Sequence, residues 1–152
     1  MVYSTSSIPI VMADDDEEDC MLAREALEEA KLSNEFHVVS DGEELLQFLR
    51  NEGPYGNIAK YRRPGLILLD LNMPKVDGRQ ALAEIRGDEK LKDIPVVVMT
   101  TSQAEEDVIR SYATGANSYI TKPVSFEGLV EVMRSLEQYW FQIVRLPMNE
   151  AA

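Results

Sequence analysis

A single cysteine, Cys20, among 152 residues leaves no partner for an intramolecular disulfide. It also excludes a cysteine-rich zinc site, and a reducing, cytoplasmic compartment is the simplest expectation. A single histidine, His37, excludes any multi-histidine metal centre. It falls in or beside a strand pattern and reads as a structural residue. Positive charge is scarce: 15 Lys and Arg face 27 Asp and Glu, for a net charge of -12. Direct contact with nucleic-acid phosphates needs basic patches, so a DNA-binding regulator is disfavoured. No apolar run is long enough to span a bilayer, so no membrane partner is expected. Residues 1–7 lack the basic start and apolar core of a signal peptide and read as a flexible N-terminal tail. There is no internal repeat and no low-complexity segment.

What is present is an ordinary globular composition, 45% hydrophobic and 28% charged, at the length of one domain. Short apolar runs alternate with amphipathic stretches. Strands are expected at residues 8–13, 36–39, 66–70, 95–99 and 118–121. Helices are expected at 18–31, 41–50, 77–86, 105–113 and 125–144, from apolar residues at helical spacing. Strands such as 66–69 and 96–99 are apolar on both faces, as in a parallel sheet covered by helices. Crossovers of this length are right-handed βαβ units as a rule. The expected fold is therefore α/β, a doubly wound five-stranded parallel sheet with five helices. The expected domain spans residues 8–146, with 147–152 as a C-terminal tail. The long connection 53–63 carries nothing that looks catalytic.

Function in such folds sits at the carboxyl ends of the strands. The first strand ends in Asp14-Asp15. The third ends in Asp70, followed by Asn72 and Pro74. The fourth ends in Thr100-Thr101, and Lys122-Pro123 follows the fifth. On adjacent parallel strands these groups share one rim. Three carboxylates there repel one another, and a hard divalent cation such as Mg2+ would keep them ionised. Asp70 could then attack phosphorus, with Lys122 adding positive charge and Thr100 a hydrogen-bond donor. Phosphoryl transfer needs mainly such positioning and charge stabilisation, and aspartate has precedent as a covalent nucleophile. Part of the acidic run has a plainer reading. Glu17, Glu18 and Asp19 read as a solvated first helical turn, favoured there by the helix dipole. Asp16 reads as the N-cap.

The segments Met12-Ala13-Asp14-Asp15-Asp16, Leu68-Leu69-Asp70-Leu71-Asn72-Met73-Pro74, Met99-Thr100-Thr101 and Tyr119-Ile120-Thr121-Lys122-Pro123 resemble the receiver domain of two-component response regulators. The resemblance runs from Ile8 to Leu136 and implies a flavodoxin/CheY-like fold. It implies that Asp70 is the phosphoacceptor for a sensor histidine kinase. Asp15, Asp70 and the Asn72 backbone carbonyl would ligate Mg2+, with Asp14 acting through water. Lys122 would contact the phosphoryl oxygens. Thr100 would move to bond them, and Tyr119 would swing in behind it. Asn72 and Ser102 match the positions that tune dephosphorylation, and the Lys122–Pro123 bond is cis in relatives. Such a domain catalyses only its own phosphorylation and dephosphorylation. A narrower resemblance, carried by residues 136–147 and the loop 53–63, is to the response regulators of bacterial and cyanobacterial phytochromes.

The last helix reads as an interface. At about 20 residues it would be about 30 Å long, against about 17 Å for a five-residue strand. Tyr139, Trp140 and Phe141 fall in the overhang, and with Phe126 they are the expected contacts of a homodimer. The few residues after Leu146 imply no attached output domain, so the signal would pass to an unidentified downstream protein. A haloacid-dehalogenase-type phosphatase is the enzyme alternative. It needs a second aspartate two positions after the nucleophile, and here that residue is Asn72. A flavodoxin-like flavin protein is the other alternative. Its first loop should cradle a phosphate, whereas Asp14-Asp15-Asp16-Glu17-Glu18 would repel one.

Overall fold

A computed structural model describes residues 8–31, 34–70, 73, 76–100, 118–123 and 125–142. Five strands form one sheet: β1 (Ile10–Ala13), β2 (Phe36–Val39), β3 (Leu66–Asp70), β4 (Val96–Thr100) and β5 (Ser118–Thr121). Their order is β2-β1-β3-β4-β5, and every pairing is parallel. The described α-helices are α1 (Glu17–Glu29), α2 (Gly42–Arg50), α3 (Gly78–Gly87) and α4 (Phe126–Gln142), with a 3-10 turn at Gly53–Tyr55. The helix expected at 105–113 lies outside the described residues. No described helix is long and apolar enough to cross a membrane.

The period-two rule of strands sorts the core into two layers. Val11, Ala13, Ile67, Leu69, Val96 and Val98 pack with α2 and α3. Ile10, Met12, Leu66, Leu68, Val97 and Met99 pack with α1 and α4. Both faces of the central strands are therefore covered, which explains their unbroken apolar runs.

Helix starts follow capping chemistry. Asp16 accepts from the N–H groups of Glu18 and Asp19 at 2.9 and 3.2 Å. Asp41 and Asp77, expected as first helical residues, are instead the N-caps of α2 and α3, and accept from Glu44 N–H and Gln80 N–H. A short carboxylate in extended backbone satisfies orphan amides better there than inside the first turn. Strand β4 starts at Val96, one residue later than expected. Pro95 has no N–H to donate, and only its carbonyl joins the ladder, accepting from Ile67 N–H at 3.0 Å. No peptide bond among the described residues is cis. The Lys122–Pro123 bond is therefore trans and not cis as the resemblance implied, trans being the lower-energy isomer by about 0.5–1 kcal/mol.

The long connection is folded against its neighbours. Asn51 ends α2 in the left-handed region at φ 54°. Its side-chain amide donates to the carbonyls of Tyr55 and Tyr61 at 3.1 and 2.9 Å. Tyr61 and Tyr55 pack on Phe48, and Tyr61 also packs on His37. The Tyr55 hydroxyl donates to Glu44. His37 lies on edge strand β2, packed on Phe48 and Tyr61, with Nε2 at 3.3 Å from a Glu35 carboxylate oxygen.

Candidate functional site

Register builds the rim. Ala13 pairs with Leu69 and Asp70 with Met99, so Asp14 and Asp70 emerge level with each other at the ends of β1 and β3. Strand order reverses between these two strands, which makes this crevice the switch point where doubly wound sheets bind ligands. Asp14 N–H is still tied to Val39 O at 3.0 Å, so the ladder holds its backbone. One strand further on, Thr100 pairs with Thr121, and Lys122 follows immediately.

The Lys122 ammonium joins three carboxylates. Its Nζ lies 2.8 Å from Asp14 Oδ2, 2.9 Å from Asp19 Oδ2 and 3.3 Å from Asp70 Oδ2. Asp14 and Asp70 are buried, while Asp15 is exposed. The other Asp14 oxygen accepts from Asp16 N–H at 2.9 Å. Burial raises the Asp14 pKa above its ordinary 3.8, against the opposing pull of Lys122 and the Asp16 amide. For Lys122, burial works to lower the pKa. Hydrogen bonds to Asp14 and Asp19, with the charges of Asp14 and Asp70, outweigh it and hold the lysine above 10.5. Burial likewise pushes the Cys20 thiol beneath the rim up to about 12, which leaves it unreactive at neutral pH.

Carboxylate oxygens of Asp14, Asp15 and Asp70 all lie within 4.8 Å of one another. Hard oxygen donors that close, two of them buried, fit a Mg2+ or Mn2+ ion. Of the residues expected at the site, Asp14, Asp15, Asp70 and Lys122 are together. Thr100 and Tyr119 hold the expected strand positions on β4 and β5, and their side chains lie outside the described residues. Asn72 and Ser102 also lie outside them. Phe126 is half-buried against the α1/α4 side of its own core. Tyr139, Trp140 and Phe141 belong to α4, with side chains outside the described residues.

Asp19 is the site residue that sequence reasoning missed, since it reads as a solvated helix start. The signal was available. Residues 19, 23 and 26 share one helical face, and Ala23 and Ala26 are buried on it. Asp19 therefore reaches the rim from the edge of that face, within 2.9 Å of Lys122 Nζ and still partly open to solvent.

Residues 10–134 match the response regulator receiver domain family. The response regulator Rcp1 of Synechocystis sp. is 42% identical over 138 residues, covering 91% of this chain and 92% of Rcp1. The structure of the phosphorylated cyanobacterial phytochrome response regulator RcpA is 42% identical, with a TM-score of 0.83 over 93% of this chain and 99% of that one. The Mn2+-bound form of response regulator Rcp1 is 41% identical, with a TM-score of 0.80 over 92% of this chain and 99% of that one. The doubly wound, CheY-like architecture is thus shared along nearly the full length of each. With the acidic rim in place, the chain belongs to the response regulator receiver domain family, a signalling domain of two-component phosphorelays, and is related to the phytochrome response regulators.

Proposed function

We propose that Asp70 accepts a phosphoryl group from a sensor histidine kinase of phytochrome type, and that the phosphorylated domain signals by binding another protein. The observation that carries this reading is the Asp70 carboxylate at the end of central strand β3, 3.3 Å from Lys122 Nζ and grouped with Asp14 and Asp15. The kinase class rests on the likeness to Rcp1 and to the phytochrome regulator RcpA.

Asp15, Asp70 and the Asn72 carbonyl would hold Mg2+, with Asp14 acting through water. When bound, the ion supplies positive charge that offsets the clustered carboxylates and the incoming phosphoryl oxygens. An oxygen of Asp70 attacks phosphorus and forms the acyl phosphate. The bond from phosphorus to the phosphohistidine nitrogen breaks, and the imidazole leaves with the electron pair. Lys122 lies beside Asp70 to bond the transferred oxygens. Thr100 on β4 and Tyr119 on β5 would respond to that charge, which would bias the domain between two surface states. The only turnover expected is gain and loss of the domain's own phosphoryl group. Residues 8–146 form the receiver unit in this reading, in the cytoplasm, with α4 as a homodimer face.

Acetyl phosphate with Mg2+ is expected to add one phosphoryl group, read as a mass gain on the intact protein. Chelation of the metal, or Asp70→Asn, should abolish the gain. Persistence of the modification in Asp70→Asn would refute the assignment. Phosphotransfer from candidate histidine kinases, phytochrome-type ones included, tests the partner: preference for another class would refute the pairing while leaving Asp70 in place.

A further inference from the structure

An ammonium has three N–H donors, and at Lys122 three carboxylates stand within reach of them. These carboxylates differ in what else they do. Asp14 and Asp70 belong with Asp15 to the close oxygen cluster, and Asp19 does not. They also differ in access to water: the Asp14 side chain is 1% exposed, Asp70 9% and Asp19 37%. Asp19 is nonetheless held in place. It sits in the first turn of α1 with its N–H on the Asp16 cap, where the helix dipole favours a carboxylate.

A phosphoryl group on Asp70 brings new acceptor oxygens next to Lys122. The Asp70 contact, the longest of the three at 3.3 Å, passes to the phosphoryl group itself, and to close on the new oxygens the ammonium must also draw away from Asp14 or Asp19. Asp14, 1% exposed, cannot turn to bulk water when released, and only the ion beside it would offset its charge. Releasing Asp19 costs little, because its carboxylate can turn to water and its ion pair is partly screened.

We propose that Asp19 is a positioning residue that competes with the phosphoryl group for Lys122, and so weakens the domain's hold on its phosphorylated state. This rests on Asp70 being the phosphoacceptor. The lysine is parked between Asp14 and Asp19 at rest, and the phosphoryl group displaces Asp19. Whatever Asp19 contributes to the resting ion pair is subtracted from the lysine–phosphoryl contact.

The test uses beryllofluoride, a phosphoryl mimic, with the full chain and saturating Mg2+. Asp19→Asn is expected to bind it about two- to fivefold more tightly than wild type, the range of one partly exposed ion pair. Asp19→Glu, which keeps the charge, is expected to stay near wild type. A second reading needs no altered affinity. In wild type labelled at aspartate carboxyl carbons, the Asp19 signal (identified by its absence in Asp19→Asn) should move toward that of a solvated carboxylate when beryllofluoride is added. Unchanged or weaker binding by Asp19→Asn overturns the proposal, as does an Asp19 signal that does not move. If wild type binds beryllofluoride and Asp70→Asn does not, such a result condemns the Asp19 role alone. If wild type binds none, the phosphoacceptor reading falls and takes this proposal with it.

Discussion

Asp14 is nearly closed to water, and burial raises its pKa above 3.8 even with Lys122 at 2.8 Å. A carboxyl whose folded-state pKa is raised favours the folded state in its protonated form. Its stabilising contribution is complete below about pH 3.8 and is lost as pH rises through the raised value. Lys122 does not blur that window. Its pKa is raised too, so its contribution is complete below 10.5 and is lost only in strong alkali. With divalent metal chelated, wild type is therefore expected to lose stability relative to Asp14→Asn as pH climbs from below 3.8 toward neutrality. Urea unfolding at a series of pH values measures this directly. A gap between the two proteins that is flat across that range would contradict the sign. Added Mg2+ should then recover wild type at neutral pH, because an ion bound only by the folded state stabilises it by mass action. Asp14, Asp15, Asp19 and Asp70 together carry more negative charge than Lys122 offsets, and the prediction reads whether a cation makes up the difference.

The elements that carry the rim are joined by close backbone approaches as well as by the sheet. Gly42, first residue of α2, donates its N–H to Val76 O at 2.9 Å. A Cβ at Gly42 would lie 2.1 Å from that same oxygen, a backbone atom that cannot swing aside. Gly42→Ala must push Val76 away, along with the segment between Asp70 and α3. A loss of about 1–3 kcal/mol is expected, the scale of overpacking in a tight site. An unchanged urea midpoint would show that the segment yields without cost. This contact marks where reading the sequence stops. Strands and helices announce themselves by period, and their ends fall within a residue or two of expectation. The deviations at Asp41, Asp77 and Pro95 each have a local chemical cause. Asp14, Asp15, Asp70 and Lys122 were legible because each sits at the end of an apolar run, and parallel strands bring such ends together. Gly42 against Val76 joins segments far apart in sequence, and Tyr55 against Glu44 bridges 11 positions, with no repeating pattern to betray either. Asp19 lies between: its helical face was readable, but its partner Lys122 is 103 positions away.

At the scale of the molecule, α4 is too long for the sheet it covers. Its 17 residues run about 25 Å, against about 17 Å for a five-residue strand. Val130, Met133 and Leu136 are buried against the domain. The helix then continues for six residues to Gln142, through Tyr139-Trp140-Phe141. In the dimer proposed above, a second copy would pair with this segment by two-fold symmetry. Charge opposes such pairing, since each copy carries -12 and like charges repel across a Debye length of about 10 Å at 0.1 M salt. Two consequences separate an apolar α4 dimer from an electrostatic one. Association should strengthen as salt rises, because screening removes repulsion and leaves apolar burial intact. Trp140→Ala should weaken it by tenfold or more, about the loss of one aromatic anchor at 1.4 kcal/mol per decade. Sedimentation velocity at micromolar protein, in low and high salt, with and without beryllofluoride, measures both. A protein that stays monomeric throughout would remove the dimer from the reading. A dimer that dissolves in salt would place its interface on charged faces and not on α4.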